Sequence, residues 1–116
     1  MKLSAEREAL LAPLQAVIGV VERRQTMPIL ANVLLVASDD RLDITATDLE
    51  VELVASGDLT VQEPGEITVP GRKLLDICRA LPEGATVNVT QNGDRIILRS
   101  GRSRFTLSTL PASEFP

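Results

Sequence analysis

Three carboxylates that alternate along the chain, Asp48, Glu50 and Glu52, are the side chains best suited to chemistry. On a β-strand they would project from one face, because successive side chains point to opposite faces. Grouped carboxylates can hold divalent metal ions for a nuclease or a phosphoryl-transfer enzyme. The apolar residues between them are typical of a half-buried strand with a solvated outer face. We favour this second interpretation and keep a small metal-dependent hydrolase as the alternative.

Other common catalytic chemistries lack their residues in this sequence. There is no histidine, which excludes Ser-His-Asp and Cys-His arrangements and His-ligated zinc within these residues. Cys78 is the single cysteine, and its place on an apolar helical stripe predicts a buried, inert thiol. No glycine-rich phosphate loop of the GxxxxGK[ST] or GxGxxG type is present. We therefore expect no cofactor and no metal.

The charged residues are segregated along the chain, although the formal net charge is only −4. Residues 36–66 contain nine acidic side chains and one basic one, whereas residues 72–104 contain seven basic and three acidic. Such segregation predicts an oriented molecule with one basic side. The only aromatic residues are Phe105 and Phe115, too few to form a stacking platform for single-stranded nucleic acid.

A length of 116 residues with 44% apolar side chains is typical of one compact domain. No apolar run approaches the roughly 20 residues that span a bilayer, and no signal-peptide pattern opens the chain. We therefore expect a cytoplasmic domain without membrane contact.

The elements that must position these side chains follow from the hydrophobic pattern and from turn residues. A first helix is predicted over 5–21, capped by Ser4 and interrupted by Pro13, and a second over 72–81. Asn92-Gly93 is a strong hairpin signal. Strands are predicted at 1–4, 29–37, 42–47, 49–55, 59–62, 66–69, 86–90, 95–100 and 102–109.

The order of these elements is strand, helix, then strands, and it occurs twice, from Met1 and from Glu66. This repetition indicates an internal βαβββ duplication. We predict an α+β domain with two helices packed on antiparallel β-sheets.

Several blocks of the sequence resemble the first domain of the bacterial sliding clamp family, the beta subunit of DNA polymerase III. The blocks are 24–32 (RQTMPILAN), 47–50 (TDLE), 69–73 (VPGRK), 76–79 (DICR), Leu81-Pro82, 100–105 (SGRSRF), 109–111 (TLP) and 115–116 (FP). Their joint order over the whole chain makes the resemblance specific.

The resemblance implies a non-catalytic subunit of the DNA polymerase III holoenzyme. In that family three domains of like fold form a subunit, and two subunits join head to tail into a ring around double-stranded DNA. The ring tethers the replicative polymerase and is placed on DNA by a clamp loader. Residues 1–116 would then be the first of three domains, with 110–116 beginning the inter-domain linker.

The resemblance also implies DNA-binding residues. Arg24, in the loop after the first helix, and Arg72, at the start of the second, match family positions that contact DNA. Weaker candidates on the same side are Arg7, Lys73 and Arg79. A guanidinium donates to phosphate oxygens without reading bases, so such contacts are sequence-independent and salt-sensitive.

The same resemblance implies a subunit interface at the last strand and the second helix, whose partner is the third domain of a second subunit. Phe105 would be its apolar anchor. The full set of expected interface residues is Lys73, Ile77, Leu81, Arg95, Arg102, Arg104, Phe105 and Leu107. The remaining alternative is a protein-interaction module without DNA, whose acidic strands bind a basic partner.

Overall fold

The computed structural model describes residues 1–21 and 27–116, which form two α-helices, nine strands and three short 3₁₀ segments. The helices are α1 (Arg7–Val17) and α2 (Gly71–Ala80). The strands are β1 (Lys2–Glu6), β2 (Asn32–Ser38), β3 (Arg41–Thr47), β4 (Glu52–Asp58), β5 (Thr60–Glu63), β6 (Gly65–Pro70), β7 (Thr86–Asn92), β8 (Arg95–Ser100) and β9 (Ser103–Ser108). The 3₁₀ segments are Ile18–Val20, Pro28–Ala31 and Ala112–Glu114.

The strands form two antiparallel sheets. Sheet A has the order β5-β1-β7-β8-β9, and sheet B has the order β4-β3-β2-β6. Apart from the short β5, which pairs with β1, each half of the chain supplies three consecutive strands to one sheet and its first strand to the other, since β1 pairs with β7 and β6 pairs with β2. This topology confirms the α+β class and the duplicated element order. The exchanged first strands also join the two halves into one folding unit.

One cluster of buried apolar side chains joins both helices to both sheets. Leu10, Leu14 and Val17 are buried along α1 and form its apolar stripe. Leu74 and Cys78 form the matching stripe of α2. Burial of these stripes fixes which side of each helix remains outside.

The predicted start of the first helix is wrong. Ser4 is not a helix cap, because it lies within β1 and donates to the side chain of Asn88 on β7 at 2.7 Å. Pairing with β7 extends through Glu6, so the backbone is committed to the sheet until α1 begins at Arg7. Tertiary strand pairing overrides the local capping signal here.

Pro13 is tolerated inside α1 and is buried. A proline has no N–H, so the carbonyl of Ala9, four residues earlier, loses its helical partner. Gly57 of β4 lies directly against that carbonyl, and a methyl group at this glycine would overlap the Ala9 oxygen. The close approach of β4 to α1 therefore depends on a glycine at 57.

Two strand predictions begin too early. Pro28–Ala31 forms a 3₁₀ turn before β2, and residues 48–51 form a turn before β4. Leu49 has a φ of 79°, an uncommon backbone conformation for a bulky residue. It is held there because its N–H donates to Thr47 Oγ1, while the N–H groups of Glu50 and Val51 donate to the Asp48 carboxylate.

Candidate nucleic-acid interface and sheet-edge surface

The basic residues of α2 stay outside because the opposite side of the helix is tightly packed. Gly71 is buried at the first turn, where an added methyl group would come within 2.9 Å of Val33 Cγ1. The helix then leaves Lys73, Asp76 and Arg79 exposed. Among the described residues, neither Lys73 nor Arg79 forms an ion pair. Both cations are therefore available to an external anion.

Arg72 is only half-exposed and is anchored to the end of the first helical segment. Its Nη2 donates to the carbonyl of Val21. Its Nε is buried and has no hydrogen-bond partner within residues 1–21 and 27–116. The guanidinium therefore joins the start of α2 to the residue that precedes positions 22–26.

Arg24, the first of the predicted DNA-binding residues, lies outside the described residues, as do its neighbours Glu22 and Arg23. The structure describes the chain on either side of this segment, at Val21 and at Met27. Arg72 contacts Val21, the residue directly before that segment.

Arg7, one of the weaker DNA-binding candidates, is engaged in contacts inside the domain. Its Nε donates to the carbonyl of Cys78 at 2.7 Å, and its Nη1 pairs with Glu8 at 2.8 Å. Its side chain is 17% exposed. The carbonyl of Cys78 belongs to the last turn of α2, where a cation is favourable to the helix dipole. Arg7 therefore ties α1 to the end of α2.

Glu8 completes this connection between the helices. Its second carboxylate oxygen accepts the backbone N–H of Gly84 at 3.0 Å, in the loop that follows α2. The hydrogen bond from Arg7 lowers the pKa of the Glu8 carboxyl, and the N–H of Gly84 adds to the effect. The pair thus holds the beginning of α1 against the loop after α2.

The predicted row of three carboxylates does not exist. Asp48 and Glu50 belong to the turn that precedes β4, and Glu52 alone lies in the strand. The Asp48 carboxylate accepts the N–H of Val51 at 2.8 Å and that of Glu50 at 2.9 Å, which lowers its pKa. Among the described residues no group of three metal-ligating side chains is found. Asp48, the first carboxylate of the hydrolase alternative, instead stabilises a turn.

Cys78 is fully buried, as its place on the apolar stripe predicts. Burial raises the pKa of its thiol to about 11. Since the thiolate is the reactive form, this cysteine is inert at neutral pH.

A second basic surface lies at the edge of sheet A. Arg95 on β8, Arg104 on β9 and Arg102 in the turn between these strands are all exposed. None of the three forms an ion pair with a described carboxylate. β9 is the last strand of its sheet, so one row of its backbone groups is unpaired.

The apolar residues predicted for the same interface divide into two groups. Phe105 and Ile77 are half-buried and pack against the core cluster. Leu81 and Leu107 belong to that cluster and are each only 7% exposed. The structure therefore leaves Phe105 and Ile77 as the apolar surface that a partner can reach.

Arg99 also belongs to the basic edge, although it is not among the residues predicted from the sequence. It is exposed on β8 and stands directly opposite Arg104 of β9. Like charges at directly opposite positions destabilise a sheet. The signal that locates Arg99 is the register of the β8–β9 hairpin, which the turn Gly101-Arg102 fixes. This register concentrates positive charge on one edge.

Within the described chain, no helix is both long enough and apolar enough to cross a membrane.

Comparison with known proteins gives one consistent result. The family described as DNA polymerase III beta subunit, N-terminal domain, matches residues 1–116. A beta sliding clamp of Pseudomonas putida is 57% identical over 100% of this chain and 32% of the relative. That of Escherichia coli strain K12 is 56% identical with the same coverage. The chain thus spans about a third of the length of these relatives.

Solved structures agree with the sequence relatives. A sliding clamp from Pseudomonas aeruginosa bound to griselimycin superposes with a TM-score of 0.96 at 56% identity, covering 100% of this chain and 32% of that one. A DNA polymerase sliding clamp from Caulobacter crescentus gives a TM-score of 0.97 at 50% identity, with the same coverage.

Proposed function

Since the chain belongs to the family of the DNA polymerase III beta subunit, as its N-terminal domain, we propose that it is one segment of a DNA sliding clamp. In this proposal the complete protein is a non-catalytic processivity factor. It encircles duplex DNA as a ring of two subunits and tethers the replicative polymerase after a clamp loader has placed it there.

The observation that carries the proposal is the contrast between the surfaces of the two helices. α2 exposes Lys73 and Arg79 without ion-pair partners among the described residues. α1 exposes Ala12, Gln15 and Ala16, which are uncharged. Such a surface offers phosphates a few cations and otherwise no strong attraction. A ring that slides requires weak contacts, because its closure around DNA, rather than its affinity for DNA, keeps it bound.

Arg72 and Arg24 fit this proposal as a pair. Arg72 is anchored to the Val21 carbonyl, directly before the segment that carries Arg24. We assign both arginines to phosphate contact, and the hydrogen bond to Val21 fixes the position of the Arg72 guanidinium. Arginine donors bind phosphate oxygens of any sequence, which suits a protein that must pass every base pair.

The edge of sheet A supplies the second part of the proposal, the contact with another subunit. Arg95, Arg102 and Arg104 would meet acidic side chains of the partner, with Phe105 as the apolar anchor. Their exposure and the unpaired backbone row of β9 support this role. Arg99 joins the set because of its position opposite Arg104.

The sequence left two alternatives, a metal-dependent hydrolase and a protein-interaction module without DNA. The hydrolase is not favoured, because its three carboxylates are not arranged as a metal site and the relatives are clamps. The interaction module without DNA makes a different prediction from the clamp, since it assigns no role to the cations beside α2.

The salt dependence of DNA binding separates these two functions. The full-length protein that contains this chain is bound to a short duplex over a range of NaCl concentrations. Each phosphate contact contributes about 0.9 to the slope of log affinity against log salt, so Arg24→Ala with Arg79→Ala lowers the slope by about 2. The control variant Lys2→Ala with Arg41→Ala removes two exposed cations of the sheets and leaves the slope unchanged. Equal slopes for both variants contradict the proposed function.

A further inference from the structure

The chain contains three asparagines, and the fold holds them to different degrees. Asn32 is buried, with 6% of its surface accessible, and its amide donates to Thr68 Oγ1 at 3.0 Å. Asn88 lies in the middle of β7, where its side-chain oxygen accepts the hydroxyl of Ser4 at 2.7 Å. Asn92 is exposed at the last position of the same strand. Its side chain is therefore open to solvent beside the end of an element.

The backbone at Asn92 is paired on one side only. β7 lies between β1 and β8, and it pairs with β1 over residues 86–90 and with β8 over residues 88–92. Among the described strands Asn92 thus has one partner, Arg95 of β8, whereas Asn88 has a partner on each side. Rotation of the backbone at Asn92 therefore disturbs the last pair of one ladder, while rotation at Asn88 would break two ladders.

The residue after Asn92 is Gly93, the first of the two turn residues between β7 and β8. Its φ of 63° lies in the region that favours glycine. Apart from its chain neighbours, no described atom lies within 4 Å of the place that a Cβ would occupy. The N–H of Gly93 is therefore open to approach by the preceding side chain. Asn32 and Asn88 are each followed by a valine, whose stiff branched side chain obstructs the same approach.

We propose that Asn92-Gly93 is a site of spontaneous deamidation. The backbone nitrogen of Gly93 attacks Cγ of Asn92, so an N–Cγ bond forms and the bond from Cγ to Nδ2 breaks. The side-chain nitrogen leaves as ammonia with the proton of the Gly93 N–H, and a cyclic succinimide remains. Water then opens the ring at either carbonyl carbon, which gives aspartate or isoaspartate. The reaction consumes water, releases ammonia and needs no other reagent.

The new carboxylate arises directly opposite Arg95. Asn92 and Arg95 form a cross-strand pair and are both exposed, and the Cβ atoms of such pairs are about 5 Å apart. The carboxylate is ionised at neutral pH. Arg95 has no ion-pair partner among the described residues, so the modification places a negative charge beside a free cation. Isoaspartate also adds a carbon to the backbone, which is incompatible with the register of this pair. Deamidation thus lowers the positive charge of the basic edge.

Peptide mapping of the folded full-length protein by mass spectrometry tests the site. The protein is incubated for days in mildly alkaline buffer, since base removes the proton of the attacking N–H. The fragment that contains Asn92 is expected to gain the mass difference between an oxygen atom and an NH group. An isoaspartyl methyltransferase is expected to label the same fragment. Asn32 and Asn88 are internal controls and keep their amides.

Three outcomes contradict the proposal. If Asn92 keeps its amide in the folded protein but loses it in urea, the hairpin protects this residue. If Asn88 reacts as fast as Asn92 in the folded protein, the glycine and the strand end are not the cause. The matched variant Asn92→Ser has no amide at this position, so methyl labelling that persists in it places the reaction elsewhere.

The effect of the new charge is measured with Asn92→Asp, which reproduces one of the two products, against Asn92→Ser. This effect rests on the proposed function, in which Arg95 meets acidic side chains of another subunit. At low salt the subunits of the Asn92→Asp protein are expected to associate roughly threefold more weakly, the size of one exposed ion pair. Equal association shows that the carboxylate does not act on Arg95. Peptide mapping needs no subunit contact, so a failure of the deamidation site and a failure of the proposed function are distinguishable.

Discussion

Arg7 and Arg72 lie at the starts of the two helices, and each donates to a backbone carbonyl of a distant segment. Lys73 and Arg79 lie on the same helical side of the domain but form no ion pair among the described residues. Arginines that look alike in the sequence therefore have different roles, which depend on whether their donors are already used inside the fold.

Replacing Arg7 is expected to reduce stability without affecting DNA binding. Arg7→Ala removes a charged hydrogen bond to the Cys78 carbonyl and the ion pair with Glu8. A hydrogen bond from a charged group contributes about 1.5–3 kcal/mol, so urea unfolding should show a loss of roughly 2 kcal/mol. Arg79→Ala, which removes an exposed cation, serves as the control with little loss. If Arg7→Ala keeps its stability and lowers the salt slope of DNA binding, the role assigned to Arg7 is wrong.

The carboxylates of Glu8 and Asp48 make stability depend on acid pH. Both pKa values are lowered in the folded chain, by the hydrogen bond from Arg7 at Glu8 and by backbone N–H groups at Asp48. A lowered folded pKa means that the stabilisation is complete above the usual values of 4.5 and 3.8. It is lost as the pH falls through the folded values.

Urea unfolding between pH 7 and pH 3 checks this dependence. Glu8→Gln and Asp48→Asn should each reduce the decline of the unfolding free energy toward low pH. Glu83→Gln, at a loop carboxylate that accepts no hydrogen bond from a described residue, should leave the decline unchanged. A decline that is the same in all variants contradicts the role of these two groups.

At the scale of elements, the contact between α1 and β4 depends on the glycine at position 57. Gly57→Ala would place a methyl group against the Ala9 carbonyl, a backbone atom that cannot turn away. Overpacking of this kind costs about 1–3 kcal/mol, and we expect a lower thermal midpoint. Gly19→Ala is the matched control, because nothing lies within 4 Å of its added methyl group. Equal midpoints for both variants would show that α1 and β4 separate easily.

Local sequence signals predicted most elements because hydrophobic period and turn residues act over a few positions. β3, β8 and α2 lie within one residue of their predicted limits. The helix cap predicted at Ser4 was wrong because β1 pairs with β7, which lies about 80 positions further along the chain. The predicted start of β4 at Leu49 was wrong because hydrogen bonds from the Glu50 and Val51 N–H groups to Asp48 form a turn where the alternation suggests a strand.

The candidate site likewise depends on long-range contacts that local sequence signals do not predict. Residue type and order predicted the basic side of the chain, including Lys73, Arg79 and the arginines of the last strand. Which arginines are free depends on contacts between distant segments, such as Arg7 with Cys78. Arg99 emerged only from the register of β8 with β9.

At the scale of the whole molecule, the helical side and the sheet edges of the domain differ in their exposed charge. The helical side exposes Lys73 and Arg79. Of the edge strands, β4 carries exposed acidic side chains and β9 carries exposed basic ones. This division agrees with the proposed function, in which the sheet edges bind neighbouring domains and the helices face DNA without binding it tightly. The proposed function is therefore topological, because in it the closure of a ring keeps the complete protein on DNA.

Retention on DNA before and after linearisation tests that claim most directly. The full-length protein is placed on nicked circular DNA by its loader, and the circle is then cut once with a restriction enzyme. The proposal predicts that the protein stays on the intact circle and is lost from the linear form within minutes at the same salt concentration. Equal retention on circular and linear DNA would mean ordinary affinity binding and would contradict the ring.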